Sequence, residues 1–71
     1  MMAIEANDGT PFELEVYRED NHLYLIVRHA IHRYPYYLLI QNGKIDWTGS
    51  GMRLPEIRIA ADRMVRNLAF V

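Results

Sequence analysis

The chain has 71 residues, a net charge of −1 and no cysteine. That length makes one domain, residues 1–71, and the missing cysteines exclude disulfides and thiolate metal sites. A near-neutral charge argues against general electrostatic binding to nucleic acid.

The charge is unevenly spread. Residues 1–20 carry Glu5, Asp8, Glu13, Glu15, Glu19 and Asp20 against Arg18, a balance of −5; residues 53–71 carry Arg53, Arg58, Arg63 and Arg66 against Glu56 and Asp62, a balance of +2. Opposed ends of this kind suit self-association or a charged partner, although ordinary solvated faces give the same pattern. No charged start precedes an apolar run of signal-peptide length, and no apolar run approaches the ~20 residues of a membrane helix. The expectation is a soluble, cytoplasmic chain.

Met2, Ile4 and Ala6 alternate weakly before the turn residues Asn7-Asp8-Gly9-Thr10, so the start reads as a short edge strand or a loose tail. Phe12, Leu14 and Val16 then alternate with Glu13, Glu15 and Tyr17, the clearest half-buried strand in the chain. With Asp20-Asn21 as its loop, Val16 faces Leu25, Leu14 faces Val27 and Phe12 faces His29. Both apolar sets then fall on one side.

Leu23 to Ile31 fits both a strand and a helix. As a helix, Leu23, Ile26, Val27, Ala30, Ile31 and Tyr34 form one stripe. The run Tyr24-Leu25-Ile26-Val27 is rich in residues that prefer a pleated surface, which favours the strand. A turn at His32-Arg33 would set Val27 opposite Leu38 and Leu25 opposite Ile40. Asn42-Gly43 is the strongest turn signal, because a two-residue type I′ turn needs positive φ at both central positions. Counting outward pairs Gln41 with Lys44, Ile40 with Ile45, Leu39 with Asp46 and Leu38 with Trp47.

Thr48-Gly49-Ser50-Gly51 reads as a flexible link. A helix begins at Pro55, where proline suits the first helical position and Glu56 complements the dipole. Ile57, Ala60, Ala61, Met64, Leu68 and Val71 form its apolar stripe. The expected fold is α+β: an antiparallel meander of four strands, or five with the N-terminal segment, and one C-terminal helix packed on one face.

Catalytic and metal constellations are weak. Gly49-Ser50-Gly51 lacks the Gly-x-Ser-x-Gly spacing of a nucleophile elbow, and without Gly-Lys-Ser/Thr it is no P-loop. His22, His29 and His32 have no local carboxylate or thiolate to complete a zinc shell. His29, if buried, needs a hydrogen-bond partner, for which the Tyr34 and Tyr36 hydroxyls are candidates. Glu13 and Glu15 lie on a solvated strand face that supplies no pKa-shifting pocket, and Glu13 pairs across the strand with Arg28. No metal, cofactor or enzymatic activity is expected.

The informative surface is the far side of the sheet. These registers gather Tyr17, Tyr24, Ile26, Arg28, Tyr37 and Leu39 there, with Tyr17 facing Tyr24, Ile26 facing Leu39 and Arg28 facing Tyr37. Monomers seldom leave so contiguous an apolar patch open. A second candidate is the helix side with Ile59, Arg63, Arg66 and Phe70. The expected function is a non-catalytic protein–protein interaction module that binds another protein or a second copy of itself, as a homodimer. It would act as an inhibitor or regulator by steric blocking, a role that matches phage-type inhibitors in size alone. The alternative is nucleic-acid binding, with Tyr24 and Tyr37 stacking on bases and Arg28, Arg33 and Lys44 meeting phosphates.

Overall fold

The computed structural model describes residues 1–68. Five antiparallel strands in the order β1-β2-β3-β4-β5 form one curled sheet, followed by a single helix. The elements are β1 Met2–Glu5, β2 Pro11–Glu19, β3 His22–His29, β4 Pro35–Gln41, β5 Lys44–Ile45 and α1 Pro55–Leu68.

The turns follow from residue chemistry. Asp20 and Asn21 take φ of 51° and 65°, and Asn42 and Gly43 take 53° and 75°. Both pairs have the positive φ that a type I′ hairpin needs, and asparagine, aspartate and glycine tolerate it best. Each register then runs as counted, with Tyr17 opposite Tyr24 and Leu14 opposite Val27 in one hairpin. In the other, Ile40 lies opposite Ile45 and Gln41 opposite Lys44. Any side chain at position 43 must adopt the left-handed region, so Gly43→Ala is expected to cost about 1 kcal/mol or more. Urea titration checks this as a lower midpoint at unchanged slope.

The Leu23–Ile31 ambiguity resolves to strand through His29. The β3–β4 register differs from expectation by two residues: Leu25 pairs with Leu38 rather than Ile40, and Val27 with Tyr36 rather than Leu38. A two-residue His32-Arg33 turn would need positive φ at both positions, but only Arg33 adopts it, at 65°. The connection is instead four residues, Ala30 to Arg33, closed by the His29 N–H donating to the Tyr34 carbonyl at 3.2 Å. The bend centre moves one residue toward the N-terminus, which shifts every pair by two and preserves which side chains share a face.

His29 accounts for the loop's shape. Its Nδ1 accepts the N–H groups of Ile31 at 3.3 Å and His32 at 3.2 Å. The tyrosine hydroxyls expected as partners are not used here; Tyr34 instead stacks its ring on His29 with centroids 5.5 Å apart. Two further turns are closed by aspartates. Asp8 takes the N–H of Thr10 at 2.9 Å, and Asp46 that of Thr48 at 3.0 Å. The threonine hydroxyl, then its N–H, holds each carboxyl below the usual carboxylate range.

The buried cluster draws Phe12, Leu14, Leu25, Val27, Leu38, Ile40 and Ile45 from the strands and Ile57, Ala61 and Val65 from α1. The helix stripe is therefore rotated from the expected one. Val65 replaces Met64 and Leu68 as the deep residue; Met64 is half-buried, Leu68 is exposed, and Val71 lies outside the described residues. The spacing 57, 61, 65 follows the i, i+4 ridge of a helix. Helix entry is defined by the Leu54 carbonyl, which accepts the N–H of Ile57 and of Arg58. Glu56 in the first turn accepts the Asn7 N–H at 2.6 Å, tying the β1–β2 turn to the start of the helix.

Trp47 does not continue the hairpin opposite Leu38, since β5 ends at Ile45. Its indole N–H donates to Asp62 at 3.0 Å, and the Arg58 guanidinium lies 5.1 Å from its ring centre. The Gly49-Ser50-Gly51 link is a structured turn in which the Ser50 hydroxyl accepts the Met52 N–H at 3.1 Å.

Candidate functional site

Odd positions of β2, even positions of β3 and odd positions of β4 project from the face opposite the buried cluster. The observed registers arrange them in three rows: Tyr17, Tyr24 and Leu39; Glu15, Ile26 and Tyr37; Glu13, Arg28 and Pro35. The neighbours differ from those expected. Tyr24, not Ile26, lies opposite Leu39, and Tyr37 lies opposite Ile26 rather than Arg28. The two-residue shift is the cause.

The patch is contiguous, but it is not uniformly open. Tyr17 is 42% exposed and Tyr37 62%, while Ile26 at the centre is only 7% exposed. Ile26 was expected at the open surface. Its cross-strand partners are Glu15 and Tyr37, long side chains on a pleated surface. Tyr24, Arg28 and Leu39 are half-buried. The accessible part is therefore a tyrosine rim around an aliphatic floor.

Glu13 organises the charged end of this face. Its carboxylate oxygen Oε1 lies 3.8 Å from the cross-strand Arg28 guanidinium and 3.0 Å from that of Arg33 in the β3–β4 loop. The Arg28 pairing was legible from the hairpin register. Arg33 was not, because its reach depends on the four-residue loop. One carboxylate shared by two guanidiniums leaves that end net positive, with Arg33 the more exposed of the two arginines.

On the helix, Ile59 is 56% exposed, and Arg63 and Arg66 are also exposed. The three occupy one side at i, i+4 and i+7. Phe70 lies outside the described residues. This group and the tyrosine rim are separate surfaces.

The structure gathers an aromatic cluster beyond both candidates. His29 stacks against Tyr34, His32 lies parallel to Tyr34 within 11°, and Tyr34 meets Tyr36 edge-on at 5.8 Å. His29 and His32 come within 4.5 Å of each other by the turn, not by helical spacing. The density of rings in His32-Arg33-Tyr34-Pro35-Tyr36-Tyr37 was the available signal. Among the described residues, no group of three His, Asp or Glu side chains gathers to hold a metal ion. None of the described helices is long and apolar enough to cross a membrane. Compared with known proteins, the chain matches no family model, no curated protein and no solved structure.

Proposed function

We propose that this chain is a small intracellular, non-catalytic binding module whose tyrosine rim docks another protein. It acts as an inhibitor or regulator by occupying a surface that its target needs. In this reading α1 covers the opposite face of the sheet. Support for that comes from the shared buried cluster, in which Ile57, Ala61 and Val65 join Leu14, Leu25 and Leu38.

The observation that carries the proposal is the row pattern itself. Tyr17, Tyr24, Ile26, Tyr37 and Leu39 form one patch, and its two most accessible members are tyrosines. Tyrosine supplies large, rigid contact area with a polar tip and is enriched among the residues that dominate binding energy. A strand face also presents that area with little ordering cost, because its rotamers are already restrained by cross-strand neighbours.

The test is the double substitution Tyr17→Thr with Tyr37→Thr. Threonine retains strand propensity, and both positions are exposed, so the far-ultraviolet spectrum and the urea midpoint should not move. Binding to a partner captured from the native host should weaken by about 100-fold or more, as expected when two dominant residues are truncated. Undiminished capture would exclude the face. Nucleic acid in place of protein would show itself as affinity falling steeply with salt.

A further inference from the structure

We propose that two copies of this chain join through β1, pairing edge to edge into a continuous ten-stranded sheet. The sheet order ends at β1, so among the described residues no strand lies on its outer side. The direction of each backbone group follows from the neighbouring bonds. The Ala6 N–H donates to the Thr10 carbonyl at 2.8 Å and so faces β2. Backbone groups alternate sides along a strand, so Ile4 and Met2 also face β2, while Ala3 and Glu5 turn their N–H and C=O groups outward. The residue opposite Glu5 is Pro11, which has no N–H to offer, and the alternation agrees with that.

That outward pattern is self-complementary. Set antiparallel about a two-fold axis at Ile4, Ala3 of one copy meets Glu5 of the second, and Glu5 meets Ala3. Each is a hydrogen-bonded pair that exchanges two bonds, so all four outward-facing donors find acceptors. The register keeps side-chain parity. Met2 and Ile4 stay on the side of the buried cluster in both copies, and Ala3 and Glu5 stay on the other.

The surroundings suit this occupant. A groove of about 540 Å³ runs between β1 and α1, walled by Met2 and Ile4 on one side and by Ala60, Arg63 and Met64 on the other. Ile4 of the second copy would meet Ile4 beside this groove and extend its apolar wall. Strand β1 contains neither proline nor lysine, two residues that commonly block edge pairing. The other edge, β5, is only two residues long.

The dimer does not depend on the tyrosine rim, but it has a consequence for it. A two-fold axis normal to the sheet leaves both rims on the same side of the assembly. On the reading above, the dimer is then a bivalent blocker, able to hold two sites on one target at once.

The experiment is size-exclusion chromatography with light scattering on the full chain, with amide exchange followed by NMR. The expected mass is twice the 8.4 kDa of one chain, and the amides of Ala3 and Glu5 should gain protection as concentration rises. Ala3→Pro removes an outward donor without touching the bonds to β2, and should give a folded monomer. If that variant does not fold, Ala3→Lys with Glu5→Lys sets like charges opposite each other across the axis and should separate the copies. Tyr17→Thr with Tyr37→Thr should leave the dimer intact. A wild-type monomer at every concentration would overturn the proposal. So would a folded edge variant that stays dimeric, or a dimer in which Ala3 and Glu5 exchange freely.

Discussion

Leu25→Ala is expected to cost about 2–5 kcal/mol of unfolding free energy, whereas Tyr37→Ala should lie within about 0.5 kcal/mol of the parent. Leu25 is fully buried in the central strand β3, between Val16 on β2 and Leu38 on β4. Truncation removes three carbons from a cluster whose neighbours are held by hydrogen bonds on both sides, so the cavity cannot collapse readily. The effect is large for this chain. At about 0.05–0.15 kcal/mol per residue, a domain of this size has only about 4–11 kcal/mol in total. Tyr37 is on the opposite face and mostly solvated, so its loss removes little buried area. Urea titrations of the two variants should give midpoints far apart. Equal midpoints would mean that the two faces do not differ in burial as described here.

Ile57→Asp should leave the chain unfolded at 25 °C, while Ile59→Asp should fold normally. The two residues flank Arg58 in α1, two positions apart. Ile57 is fully buried, and Ile59 is 56% exposed. A carboxylate at position 57 would sit among Leu14, Leu25 and Val27 without a partner. An uncompensated buried charge costs several kcal/mol, either by desolvation or by forcing protonation, comparable with the whole stability of the domain. At position 59 the same carboxylate is hydrated and stands one turn before Arg63, a mildly favourable i, i+4 pair. Circular dichroism and the Trp47 fluorescence, whose indole is bonded to Asp62 of α1, report both outcomes. A folded Ile57→Asp variant would show that the helix is not held by this residue.

Much of the sheet was legible because its signals are local. Asn42-Gly43 and Asp20-Asn21 choose their turn type from two residues, and the alternation of Phe12, Leu14 and Val16 chooses a face from three. Nonlocal signals leave the register open. The His32-Arg33 turn was inferred from apolar sets that coincide, but a shift of two residues leaves that coincidence unchanged, so parity alone could not choose between registers. The choice is made by His29, which gathers two backbone N–H groups onto one ring nitrogen. The rotation of the helix stripe to Val65 has a similar origin. Residues 57, 60, 61, 64, 65 and 68 all lie within one broad apolar arc, and which of them goes deepest depends on the rest of the shared buried cluster.

By itself the amino-acid order determined two hairpin loops, Asp20-Asn21 and Asn42-Gly43, the face on which each side chain of β2, β3 and β4 lies, and the start of the helix at Pro55. Those features depend on φ preferences and on a side-chain period of two, both properties of short stretches of chain. The tertiary structure alone decided that Ile26 is covered while Tyr17 and Tyr37 are open, that Glu13 holds Arg33 as well as Arg28, and that Trp47 bonds to the helix rather than extending β5. Burial and pairing of that kind depend on which distant atoms arrive at a given place, and no single stretch of sequence contains that information.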